Sequence, residues 1–204
     1  MATVDLPLDR AFLPASMSFG SSTSKAASVG YFSGDRQSLS NLSDRLLATL
    51  QLGPVKGNAA AGRRSAFLMA LDRSGDYLRF GPLHRRALLG TLSGAITVNA
   101  DVLGAASSLV LAGGAVGATL LAGDIFGIGG NLLQVGYAGA VADGAGHMTV
   151  PLTLPPQRPI AAGAAVVLSG PTGLWQLDTD GLMLDFSPSA VQLGISLPFR
   201  QKVA

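Results

Sequence analysis

The sequence predicts a mainly β chain with a single helix, in which a small all-β barrel or sandwich is inserted into a discontinuous first domain. Three observations carry this expectation. All the acidic residues are Asp, Lys is scarce and there are 27 Gly in 204 residues. Glu and Lys normally populate exposed helix faces, so their shortage beside abundant Gly, Val, Leu and Thr favours strands and turns over a helical bundle. Second, eleven of the fourteen Lys and Arg precede residue 87, and none lies between Ala87 and Gln157. So sharp a break in composition marks a separately folded middle. Third, "RLLATLQL" and "AVQLGISLPF" share one apolar alternation although they lie far apart in the chain. The period of two is that of half-buried strands, and the shared pattern places both in one sheet. The expected division is therefore residues 1–90 with 171–204, and 91–170 between them.

Each element has its own signal. Residues 1–44 are polar and rich in turn formers, which suits short strands and loops. In "RLLATLQL", Leu46, Ala48, Leu50 and Leu52 fall on one face, opposite Arg45, Thr49 and Gln51. "GPVKG" breaks this strand. "NAAAGRRSAFLMALDRSGD" is the one helix, expected over about 58–72 with Asn58 as N-cap and Gly75 as the stop. Its inner face is read as Phe67, Ala70 and Leu71, with Arg63, Arg64 and Arg73 outward. "YLRF", Tyr77 to Phe80, follows as a short strand. From Gly90 onward short apolar runs ("AITVNA", "SSLVLAG", "GDIFGIGG", "NLLQVGYAG", "HMTVPLTL", "AAVVLSG") alternate with Gly, Asn or Asp, the texture of a small barrel or sandwich. In "GATLLAGDIFGIGGNLLQV" the expected turn is Gly129-Gly130. In "GLWQLDTDGLMLDF" a hairpin is expected with Asp180-Gly181 at its tip. Val191, Leu193, Ile195 and Leu197 line the final strand.

The same residues argue against several functions. Gly127 and Gly129 open a G-x-G, but Leu132 stands where a dinucleotide loop needs its third Gly, and a strand follows where a helix should. No G-K-[ST] follows either. The uncharged run Val102–Gly123 is long enough to span a bilayer, yet it holds five Gly, lacks aromatic anchors and is flanked by Asp. "MATVDLPLDRAFLPAS" has no apolar core of a secretory signal. With no Cys, disulfides and thiolate metal sites are excluded. Asp178, Asp180 and Asp185 lack calcium-loop spacing, and His84 and His147 have no paired His. No nucleophile motif is present, so no catalysis, cofactor or metal is expected. Arg63, Arg64, Arg73, Arg79, Arg85 and Arg86 are offset by Asp72 and Asp76 and have no interleaved aromatic platform, which reads as a solvated face or subunit contact rather than a nucleic-acid site.

The order "DLPL", "RLLATLQLGP", "AFLMALDRSGDYLRFG", then "GATLLAGDIFGIGGNLLQV", "ADGAGHMTVPLTLPPQRPIAAGAAVVL" and "PTGLWQL" resembles structural proteins of tailed-bacteriophage tails, of the distal-tail kind. The resemblance covers most of residues 42–180. It implies a discontinuous β-sandwich with one flanking helix plus an inserted β-domain, and a subunit of the virion tail assembled in the host cytoplasm. Its implied partners are copies of itself in a six-fold or three-fold ring, and other tail proteins of tube, hub, tip or fibre, with no nucleic acid and no membrane. The alternative is a virion binding module for a host glycan or tail fibre. A glycan platform wants clustered aromatics, whereas Trp175 is the single Trp and Tyr31, Tyr77 and Tyr137 are scattered. Tyr31, Phe32, Asp35 and Arg36, which join aromatics to charges of both signs, are the expected subunit contact.

Overall fold

A computed structural model describes residues 2–7, 9, 11–22, 25–29, 36–40, 45–82, 87–156, 158–179, 181–187 and 191–201; for 25–29, 36–40, 45 and 191 it describes the backbone alone. Before the middle segment the strands are β1 (Thr3–Asp5), β2 (Pro14–Ser22), β3 (Lys25–Val29), β4 (Arg36–Ser40), β5 (Arg45–Leu52), β6 (Val55–Lys56) and β7 (Tyr77–Phe80), with α1 (Asn58–Ser74) between the last two. The middle segment holds β8 (Thr97–Val98), β9 (Ser108–Ala112), β10 (Thr119–Leu120), β11 (Ile125–Ile128), β12 (Asn131–Gln134), β13 (Ala140–Val141), β14 (Met148–Pro151) and β15 (Val166–Val167). After it come β16 (Gly173–Leu177), β17 (Phe186–Ser187), β18 (Val191–Gln192) and β19 (Ile195–Gln201). The chain is mainly β, with one helix and several sheets among the described residues.

The largest sheet has the order β1-β7-β16-β19-β5-β2, so it draws strands from both sides of the middle segment. The two alternating strands do pair: Leu52 faces Ile195, and the antiparallel register runs on to Leu47 opposite Arg200. Ala48, Leu50, Leu52, Leu197 and Phe199 turn inward and meet Leu68 and Leu71 of α1, Leu78, Phe80 and Trp175. Trp175 is fully buried, stacks on Phe80 at 5.0 Å between ring centroids and donates its indole N–H to the Phe80 carbonyl. A second core contains only residues from 92 to 166, among them Ile96, Val98, Leu111, Leu120, Phe126, Ile128 and Val150. The two cores meet at β12, whose Leu132 packs in the first while Leu133 packs in the second.

Several local expectations change. The N-cap of α1 is Gly57, at φ 95°, with no side-chain cap; Asn58 already lies inside the helix. Gly75 ends it as foreseen, in the left-handed region, with its N–H on the Leu71 carbonyl. The buried positions of α1 are Ala61, Arg64, Leu68 and Leu71, whereas Ala70 is exposed and Phe67 half-buried. Arg64, expected outward, has no exposed surface. The final strand is also split. β18 pairs with β6 and β19 with β5, and Leu193, expected inward, is exposed while Gln192 is buried. The expected hairpin after Trp175 does not form. β16 pairs with β7 and β19 instead, because a central place in the largest sheet satisfies both of its edges. Gly181 instead turns back on the Thr179 hydroxyl, and Asp180 is outside the described residues.

The burial of Arg64 and the split strand have one cause. Leu52–Ile195 and Val55–Gln192 belong to a single continuous register, but Gly53-Pro54 and Leu193-Gly194 leave a gap in its ladder. Pro54 has no N–H to give. Arg64 fills the gap, donating to the carbonyls of Gly53 (2.5 Å) and Leu193 (2.9 Å), to Ala11 (3.5 Å) and to Gln192 Oε1 (2.8 Å). A buried charge is tolerable only with such full hydrogen bonding. Elsewhere the N-terminal strand is tied down by surface contacts. Arg79 forks onto Asp5 (2.6 and 2.9 Å), and the Ala2 N–H meets Asp76 (2.6 Å). These bonds hold both carboxyls below the ordinary aspartate range. We predict that Arg64→Ala, by leaving the Gly53, Leu193 and Ala11 carbonyls and Gln192 Oε1 without this donor, lowers the stability of this core by about 3–5 kcal/mol. Urea unfolding followed through Trp175 fluorescence measures it, and Arg64→Lys, which cannot reach the same acceptors together, should recover only part of the loss.

Candidate functional site

Three of the turns between the short strands of the middle segment share one design. Ala115–Ala118, Leu121–Asp124 and Ala161–Ala164 each close with an N–H to the carbonyl three residues back (3.0, 3.0 and 3.2 Å). Each carries Gly in third place, Gly117, Gly123 and Gly163, at φ 77°, 83° and 77°. A positive φ there is the mark of a type II turn and is strained for any residue with a Cβ. The Gly-rich stretch read in the sequence is thus turn, strand, turn, strand. Gly129 and Gly130 make the expected two-residue hairpin, with Ile128 opposite Asn131 and both glycines at positive φ. The run Val102–Gly123 is divided among β9, β10 and turns, and among the described residues no helix is long and apolar enough to cross a membrane.

Asp124 anchors this arrangement. It is the one fully buried carboxylate among the described residues, and it accepts N–H bonds from Leu89 (2.7 Å), Gly90 (3.1 Å) and Leu121 (2.8 Å). It thereby fixes the incoming chain to the turn before β11. Gly90 passes so close that a Cβ there would lie 2.1 Å from the Thr119 carbonyl oxygen.

This bracing presents an apolar face on the outside of the β10–β13 pair. In the register Thr119–Val141 and Leu120–Ala140, Leu120 and Ala140 point inward and Val141 points to solvent. Val116 lies in the turn before β10, whose Gly117 N–H reaches the Ala142 carbonyl. Leu121 leaves β10 beside the turn Gly136–Gly139, which carries Tyr137; a Cβ at Gly139 would sit 2.9 Å from the Leu120 oxygen. Tyr137, Val116, Val141 and Leu121 are 99, 70, 63 and 47% exposed. No Lys or Arg occurs anywhere from 87 to 157. An uncharged group of large exposed apolar side chains is the usual mark of an interaction surface.

The residues singled out earlier are dispersed. Tyr31, Phe32 and Asp35 lie outside the described residues, and Arg36 opens β4 opposite Val29. Of the arginines, Arg64 is internal, Arg63 faces Asp9 at 3.7 Å and Arg79 pairs with Asp5, while Arg85 and Arg86 lie outside the described residues, as does His84. Asp178 pairs with Arg200 beside Gln176 and Thr179, in a polar groove of about 410 Å³. Among the described residues no group of His, Cys, Asp or Glu has metal-binding geometry. His147 gives its backbone N–H to Asp143, which the bonds from His147 and Ala145 hold below the usual carboxylate range. Trp175 is internal and cannot stack on a sugar. Sequence reasoning missed the β10–β13 face because the strands are two residues long; Tyr137 between two glycines was its one visible sign. Compared with protein-family models and with curated proteins, the chain matches none.

Two kinds of glycine substitution separate the sources of rigidity here. Gly117→Ala, with no atom within 4 Å of the added Cβ, should cost only the positive-φ strain of about 1–2 kcal/mol. Gly90→Ala and Asp124→Ala, which displace backbone or leave three part-buried N–H groups without their acceptor, should cost more, about 3–4 kcal/mol each. Denaturant titration followed by circular dichroism tests the order.

Proposed function

We propose that this chain is a structural component of a tailed-phage virion, a distal-tail-like subunit that closes into a homo-oligomeric ring joining the tail tube to tip proteins. In this reading residues 1–90 and 171–204 form a discontinuous β-sandwich with one flanking helix, and 91–170 form an inserted β-module. The observation that carries it is the uncharged face at Val116, Leu121, Tyr137 and Val141, which an isolated subunit would leave in water. Repeated burial against neighbours removes that cost, and a contact between two different surfaces closes into a ring when the rotation permits. The order of strand, helix, strand and inserted β-segment supports the tail resemblance, as does the sheet that joins strands from either side of the middle. Against the alternative of a glycan-binding module stands the burial of Trp175; among the described residues the large exposed rings are Tyr137 and Phe186, in different segments, where sugar platforms cluster several.

Size-exclusion chromatography with light scattering tests the reading. A closed trimer or hexamer is expected at micromolar concentration, and Tyr31→Ser with Phe32→Ser should weaken it without unfolding the subunit. A stable monomer in solution and in virions would contradict the ring. An oligomer indifferent to those two substitutions would remove only their assignment to the contact.

A further inference from the structure

We draw no further inference here: the strongest candidate, the apolar surface patch of Val116, Leu121, Tyr137 and Val141 on the outer side of β10–β13, already carries the proposed function, and nothing in the structure shows what covers it.

Discussion

Arg64 holds the first core together where the ladder between β5–β6 and β18–β19 is interrupted. In a ladder that otherwise runs in constant register from Lys56–Val191 to Leu47–Arg200, Pro54 stands opposite Leu193 and Gly53 opposite Gly194. The carbonyls of Gly53 and Leu193 would be left without donors inside the protein. A guanidinium supplies several N–H groups in a rigid fork, which a lysine or an amide cannot do. Its position on α1 then determines how the helix lies: with Arg64 inward, Ala61, Leu68 and Leu71 follow, and Met69 and Arg73 are left facing solvent. Gln192 accepts from Arg64, while its own Nε2 is buried with no partner among the described residues, so the site is organised around the guanidinium rather than the amide.

The middle segment solves a different problem. Its strands are too short to define a sheet by hydrophobic alternation alone, so rigidity comes from turn glycines and from the Asp124 carboxylate. The junction to the first core is close-packed as well. Gln201 donates to the Leu132 carbonyl, Leu174 N–H to Gly130, and a Cβ on Gly81 would lie 2.0 Å from the Pro171 oxygen. Chain crossings this tight leave little room for the two cores to move independently, which suits the proposed role of presenting a fixed face to a neighbour.

Much of this was legible in the sequence, for identifiable reasons. The pairing of 46–52 with the C-terminal strand could be read because both strands are long and half-buried, so period-two alternation is strong. The Gly129-Gly130 hairpin could be read because two adjacent glycines between apolar runs have a specific turn chemistry. Arg64 could not. Helical periodicity treats a charge as an outward marker, and nothing local announces that a distant Pro54 has left carbonyls in need of a donor. Leu193 was misplaced for the same reason. The face at β10–β13 depends on which of two residues in a two-residue strand points out, which only the register with its partner decides. The contact expected at Tyr31, Phe32 and Asp35 lies outside the described residues, and of the β10–β13 face only Tyr137 carries a signal in the sequence.

The central claim is that this protein works by association through the uncharged face of its middle segment. Hydrogen–deuterium exchange on the full chain, compared between dilute and concentrated samples, tests it most directly. The account predicts that concentration slows exchange in the turns and strands from Val116 to Leu121 and from Tyr137 to Val141, while the interior hairpin of β11 and β12 keeps its rates. Exchange at those two stretches that stays the same in an assembled sample would contradict it.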